Sequence, residues 1–199
     1  MPFTPTVERL LILAVTAGLS LVLAVAAGAK VPQFKPKTIV PGTSIGGVKI
    51  GMSKRQAVGV WGKPDRCQAE SSATWCQYIA RSTLQDGTVT PPQPYAGFYV
   101  RNRKVIVVHV DLAENTAIDP TVKRLKTSKG VKLGSSLSAA RRAYKLPPPS
   151  GGEAGRSRGL FRQQRRCTMF YAPTSPYEKI ESISVGLCAS NIGAFIGVR

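Results

Sequence analysis

Few side chains in this sequence are of the types that catalyse reactions. His109 is the single histidine of the 199-residue chain, and it lies in a β-branched, apolar run that predicts a strand. Asp111 is close enough in sequence to orient its ring, but no serine or cysteine triad can be read around it. A lone histidine cannot build a histidine-rich metal site. We therefore expect His109 to be a structural sheet residue, and we expect no catalytic residue, metal or cofactor.

The acidic residues do not suggest an active site either. The chain has ten Asp and Glu, and a glycosidase needs two opposed carboxylates in one cleft, which no spacing here predicts. Asp65 follows Lys63-Pro64 and is best interpreted as a turn residue. Gly46, Gly47 and Gly51 are not followed by the Lys-Ser/Thr of a phosphate-binding loop. The sequence therefore favours a binding protein over an enzyme.

The basic residues form the strongest polar feature. The net charge is +18; residues 38–120 hold nine Lys/Arg against six Asp/Glu, and residues 121–199 hold fifteen against three. Arg162, Arg165 and Arg166 lie in a segment, 160–171, that predicts one strand, with Arg162 and Arg166 on one face. They are candidate ligands for an anionic polymer, an anionic lipid or an acidic protein patch. A solvated strand is the alternative. Nucleic acid is not expected, because no base-stacking motif accompanies the charge.

The N-terminus predicts export. Residues 10–29 carry no charge and are rich in Leu, Val and Ala. Ala27-Gly28-Ala29 resembles a signal-peptidase site, which predicts a secreted protein cleaved after Ala29. A run of about 20 apolar residues could also remain as a transmembrane anchor. Residues 30–42 contain three prolines and predict an extended linker.

The cysteine count agrees with an extracytoplasmic location. An even number of cysteines in an exported chain predicts two disulfides, for which three connectivities are open. The four residues are Cys67, Cys76, Cys167 and Cys188.

One pattern occurs twice along the chain. Gly-Val-Lys-Ile-Gly at 47–51 aligns with Gly-Val-Lys-Leu-Gly at 130–134, and each is followed by a serine that could cap a helix. The spacing predicts helices over 54–61 and 137–145, each followed by antiparallel strands. We therefore predict an α+β fold of two tandem repeats, 43–120 and 121–199, each a short helix packed on an antiparallel β-meander.

The first copy resembles a known repeat. Its phrase GVKIGMSKRQAVGVWGKPD, followed by an aromatic strand and FYVRNRKV, is similar to the repeat of the outer-membrane assembly lipoprotein family (SmpA/BamE-like) and of the β-lactamase inhibitor protein family. The resemblance implies two repeats whose sheets join into one concave surface, and one local bridge in each, Cys67–Cys76 and Cys167–Cys188. A concave sheet would expose some aromatic side chains, so Trp75 and Tyr99 are candidate interface anchors.

These observations predict an exported, non-enzymatic binding protein. The first hypothesis is a protein-interaction or inhibitor-like module whose partner is another exported or envelope protein. The alternative is a cationic cell-envelope-binding protein that recognises an anionic polymer or lipid through the arginines of the second repeat.

Overall fold

The computed structural model describes residues 32–70, 72–80, 83–85, 88–90, 93–112, 120–147, 150–151, 156–163, 165–173 and 179–188. The first part of the chain contains β1 Thr38–Val40, β2 Ser44–Ile45, β3 Val48–Lys49, α1 Lys54–Trp61, β4 Arg66–Glu70, β5 Ala73–Ile79, β6 Thr83–Gln85, β7 Thr88–Thr90, β8 Pro94–Arg101 and β9 Lys104–Asp111. The second part contains α2 Pro120–Lys123, β10 Lys126–Thr127, α3 Leu137–Tyr144, β11 Ser150–Gly151, β12 Arg156–Gln163, β13 Arg166–Pro173 and β14 Ser182–Leu187. The fold is α+β, as predicted.

The main sheet has eight strands in the order β11-β12-β13-β14-β9-β8-β5-β4. All of its described pairings are antiparallel. The central contact is between β14 and β9, so strands from the two parts of the chain form one continuous sheet. A four-stranded sheet, β10-β1-β2-β3, joins the two parts a second time through a parallel β1–β10 pairing.

Local sequence signals explain the bounds of α1. Ser53 Oγ accepts from the Gln56 amide at 3.2 Å, and Gln56 Oε1 accepts from the Ser53 amide at 2.8 Å, which is the capping box the sequence predicts. Ala57 and Trp61, four residues apart on one helix face, are both fully buried. Gly62 ends the helix with φ 91°, where a side chain would be strained.

The second long helix is built in a similar way. Ser136 Oγ accepts from the Ala139 amide at 3.1 Å, and Leu137 and Ala140 are buried. The helix ends at Tyr144, one residue before the predicted end, because Lys145 is in the left-handed conformation, with φ 51°.

The two helices pack on the same face of the main sheet. Trp61 lies at the centre of this core, with ring centroids 5.6 Å from Tyr78 and 6.2 Å from Phe98. Its indole N–H donates to the Gly46 carbonyl at 2.9 Å. One cluster of buried apolar residues has members in both parts of the chain, from Phe34 to Val185. The two parts therefore share one hydrophobic core.

The structure corrects two sequence-based predictions. Residues 160–171 were expected to form one strand, but the chain reverses after Gln163, which pairs with Arg166. The reversal lets both arms pair in the sheet, whereas a single long strand would leave its far end without a partner. Residues 30–42 were expected to be a linker, but Phe34 is 2% exposed against Trp61 and β1 joins the small sheet.

Candidate binding surface

Backbone register places three of the predicted binding residues on one face of the main sheet. Trp75 pairs with Tyr99, and Cys167 pairs with Arg162. Between these two pairs the same row of the sheet contains Val107 and Gly186. Directly opposed residues point to the same side, and α1 and α3 lie on the other side. Trp75 and Arg162 are five strands apart in this row, which is about 24 Å at ordinary strand spacing.

The aromatic end of this row is buried. The Trp75 and Tyr99 rings are stacked, with centroids 4.3 Å apart and planes 19° apart. They are 8% and 6% exposed, within a small cluster that includes Ile106 and Val107. The expectation that Trp75 and Tyr99 are exposed anchors is therefore wrong, because the rings cover each other and their cross-strand neighbours.

A carboxylate completes this cluster. The Tyr99 hydroxyl donates to Glu70 Oε2 at 3.1 Å, and Gln68 Nε2 donates to Glu70 Oε1 at 2.9 Å. Burial, together with the negative charge and hydrogen bond of Glu70, raises the pKa of Tyr99 well above its ordinary value. Tyr99 is therefore a neutral hydrogen-bond donor at physiological pH, and it orients the Glu70 carboxylate.

The arginine end of the row is exposed. Arg162, Arg165 and Arg166 all have exposed side chains at the turn between β12 and β13. The Cys167–Cys188 disulfide lies beside them, and the Cys188 amide donates to the Arg165 carbonyl at 2.7 Å. The structure therefore brings the three arginines together at one hairpin, but separates them from Trp75 and Tyr99 by most of the sheet. The prediction that Arg162 and Arg166 share a face is wrong, because Arg162 pairs with Cys167 and the adjacent Arg166 lies on the opposite side of the sheet.

The disulfides are Cys67–Cys76 and Cys167–Cys188, the local pairs that the resemblance implies. The first links directly opposed residues of β4 and β5. The second links β13 to the residue that follows β14. The first bridge lies on the helix side of the sheet, because Cys76 pairs with Phe98 in the main core, and the second lies on the helix-free face, in line with Arg162.

The middle of the face contains a contact that the sequence did not reveal. Ser184 pairs with His109 across β14 and β9, and its Oγ lies 2.7 Å from His109 Nδ1. Asp111 Oδ2 lies 3.5 Å from His109 Nε2. The residue types are those of a hydrolytic triad, but Ser184 is only 2% exposed and lies on a strand paired on both sides. A nucleophile needs access to substrate and free amides to stabilise an oxyanion, so this arrangement is suited to holding the sheet face together.

The structure also shows a second cationic site that sequence reasoning missed. An open cleft of about 590 Å³ lies beside the start of α1 and is lined by Lys54, Arg55, Arg101 and Arg103, among others. The four residues come from two segments almost fifty residues apart, so the only sequence signal was the short basic run at the β8–β9 turn.

Within the described ranges, no group of three or more His, Cys, Asp or Glu side chains is placed to hold a metal ion. No helix in the described part of the chain is both long and apolar enough to span a membrane. The predicted signal peptide or anchor, residues 1–29, lies outside the described residues.

No protein-family model matches the chain, and no curated protein matches its sequence. Among solved structures, the chain is similar to a cysteine-rich secretory protein of Staphylococcus aureus, with 13% identity and a TM-score of 0.46 over 82% of this chain and 50% of that one. It is also similar to a DUF4309 family protein of Bacillus subtilis, with 10% identity and a TM-score of 0.45 over 78% of this chain and 93% of that one. The chain thus spans half the length of the staphylococcal protein. Similarity at this level carries no functional conclusion.

Proposed function

We propose that this protein is an extracytoplasmic, non-enzymatic binding protein that recognises another exported or envelope protein through the helix-free face of its main sheet. The observation that supports this most is the register row that continues from the buried Trp75–Tyr99 stack to the exposed Arg162. The other members of the row are buried, so the accessible part of this face is its cationic end. We infer that the partner presents an acidic patch to Arg162, Arg165 and Arg166.

An extracytoplasmic location is supported by the disulfides and by the N-terminal segment. Both disulfides are of a kind that persists in oxidising compartments, and residues 10–29 have the composition of a signal peptide or an anchor. N-terminal sequencing of the protein from its native source tests the two forms. Mature protein that begins at Lys30 indicates secretion, and an intact N-terminus in a membrane fraction indicates an anchor.

The proposal of two tandem repeats is supported by matching backbone contacts. The Gly51 amide donates to the Val105 carbonyl at 2.8 Å, as the Gly134 amide does to the Ile180 carbonyl at 2.8 Å. Ser53 bridges Lys104, as Ser136 bridges Lys179. The two disulfides, by contrast, occupy different strand pairs, so they were not copied as a unit. The similarity to the SmpA/BamE-like and inhibitor families stays a prediction.

The absence of enzyme activity is proposed on the geometry at His109. The hydroxyl that would have to act as nucleophile is buried in the middle of a sheet, where it already contacts the imidazole. A Ser184→Ala protein that retains all partner binding agrees with a structural role for Ser184. A hydrolytic activity lost in Ser184→Ala would contradict it.

The experiment that tests the binding function is capture from the native envelope or culture fluid with the full chain as bait. The bait is compared with a variant carrying Arg162→Gln, Arg165→Gln and Arg166→Gln. The matched control carries Lys123→Gln, Arg124→Gln and Lys145→Gln, which removes the same charge from exposed positions outside the face. Trp75 and Tyr99 are unsuitable as test positions, because their substitution would alter the core.

We expect one protein to be recovered by the wild type and by the control, and lost or strongly reduced with the hairpin variant. Equal recovery by all three would refute a role for the three arginines.

The second candidate, binding to an anionic envelope polymer or lipid, is favoured by the exposure of all three arginines at one turn. Salt distinguishes the two. Raising the salt from about 0.1 M to about 1 M shortens the Debye length from about 10 Å to about 3 Å. Binding to a polyanion should then be lost, whereas a packed protein interface should retain part of its affinity.

A further inference from the structure

The cleft beside the start of α1 is built by a fixed contact between two distant segments. The Gly51 amide donates to the Val105 carbonyl at 2.8 Å, and the Val105 amide donates to the Met52 carbonyl at 2.7 Å. Ser53 then forms an isolated bridge with Lys104. These backbone bonds hold the first residues of α1 against the β8–β9 turn, so the two basic segments are kept side by side.

The lining of this cleft is strongly cationic. Lys54 and Arg55 enter from α1, and Arg101 and Arg103 enter from the turn. No Asp or Glu is among the lining residues, and the remaining polar contributions include the hydroxyls of Ser72 and Thr74. Lys54, Arg55 and Arg103 have exposed side chains. The like charges of these three exposed residues repel each other, and an anion placed among them relieves that repulsion.

The β8–β9 turn, which supplies Arg103, does not have the most stable sequence for its conformation. Asn102 and Arg103 both have positive φ, 49° and 62°, which is the two-residue hairpin turn that favours Asn-Gly. Asn tolerates this conformation, whereas an arginine in the second position is less stable there than glycine. The chain therefore keeps a long cation at the mouth of the cleft at a position where glycine would fit better. Strained positions of this kind concentrate at ligand-binding sites.

We propose that this cleft binds a phosphate-class anion, with Arg55 and Arg103 as its principal ligands. Guanidinium groups form paired hydrogen bonds with phosphate oxygens, and Lys54 adds a point charge. The cleft is open to solvent, which leaves room for a diphosphate or a phosphorylated group as well as for a single inorganic ion. The proposal does not depend on the helix-free face, because it concerns different residues.

The test uses the full chain and inorganic pyrophosphate as the probe, with affinity measured by calorimetry at low salt. The site variant carries Arg55→Gln and Arg103→Gln. The matched control carries Lys123→Gln and Arg124→Gln, which removes the same charge at exposed positions outside the cleft. We expect the site variant to bind at least about tenfold more weakly, because each charged hydrogen bond is among the stronger ones, and the control to bind as the wild type does.

A third variant, Arg103→Gly, separates folding from binding. Since glycine suits the turn, we expect this variant to unfold at a higher temperature than the wild type and still to lose pyrophosphate affinity. Loss of binding in a more stable protein cannot be attributed to misfolding.

A parallel measurement with vesicles containing phosphatidylglycerol identifies the source of the phosphate. If the wild type binds these vesicles, the site variant does not, and pyrophosphate displaces the vesicles, then the ligand is a lipid headgroup. Pyrophosphate binding without vesicle binding supports a soluble phosphate. Equal losses in the site variant and in the control would show a general charge effect and overturn the proposal, as would a wild type that binds neither probe.

Discussion

Trp61 offers the sharpest test of how this fold is held together. Its side chain is fully buried, contacts the rings of Phe34, Tyr78 and Phe98, and donates to the Gly46 carbonyl at 2.9 Å. Trp61→Phe keeps an aromatic ring in the site but removes the indole N–H. The buried Gly46 carbonyl then loses this donor, which costs about 1–3 kcal/mol. The smaller ring also leaves a void, for which we add about 1 kcal/mol.

The expected loss of unfolding free energy is therefore about 2–4 kcal/mol for Trp61→Phe. Trp61→Ala removes the whole ring and should cost at least about 3–5 kcal/mol. For a chain of this size a loss of about 1 kcal/mol lowers the melting temperature by about 2–4 °C. Urea unfolding followed by far-UV circular dichroism measures both variants by linear extrapolation, without depending on the fluorescence of the residue that is changed.

The matched control is Val40→Ala, because Val40 is 45% exposed on β1 and should change the stability by no more than about 0.5 kcal/mol. If Trp61→Phe and Val40→Ala were equally stable, the indole hydrogen bond and the packing around Trp61 would not hold α1 and the Phe34 segment in place. A core role for the buried Phe34 ring would then be refuted as well.

Three further predictions concern the main sheet. Gly97→Ala should destabilise the fold by about 1–3 kcal/mol, because a Cβ there would overlap the Trp75 ring and lie 2.6 Å from the Cys76 carbonyl oxygen; a wild-type near-UV spectrum and unfolding curve would contradict this. Replacing Cys67 and Cys76 together by serine opens a bridge between residues 9 apart, which should cost about 2.7 kcal/mol in the chain-entropy model; an unchanged urea midpoint under oxidising conditions would contradict that estimate. Burial, with a neighbouring carboxylate, raises the pKa of Tyr99 in the folded protein. The contribution of Tyr99 to stability is therefore fully present below its pKa in the unfolded chain, about 10, and declines as the pH rises further. Tyr99→Phe should make that decline shallower, and an unchanged slope in unfolding experiments above pH 10 would count against the assignment.

Some of this protein could be predicted from its sequence because the signals are local. The bounds of α1 follow from Ser53, Gln56 and Gly62, whose capping and termination act within one turn of the helix. The β8–β9 hairpin follows from the two apolar runs that flank Arg101-Asn102-Arg103-Lys104. The residues that form these elements are neighbours in the chain, so their preferences can be read without knowing what packs on them.

Other predictions were wrong because the deciding contacts are distant. The segment 160–171 has no strong turn residue such as glycine or proline between Gln163 and Arg166, so nothing local marked the reversal there. The reversal is determined by the pairing of β13 with β14. That pairing depends on the whole sheet and not on the local sequence. The Phe34 segment looked like a linker because of its prolines, yet its apolar ring is buried against Trp61, 27 positions further along the chain.

The sequence by itself determined that this is a cationic α+β protein with an apolar N-terminal segment, four cysteines and a repeated strand–helix pattern, because composition and short-range spacing are enough to show these features. Only the tertiary structure decided which face of the sheet each side chain occupies. It buried Trp75 and Tyr99, placed Ser184 against His109, and brought Lys54 and Arg55 to the turn that carries Arg103. The physical reason is that strand order and register bring together residues tens of positions apart, and no local preference encodes which of them will meet.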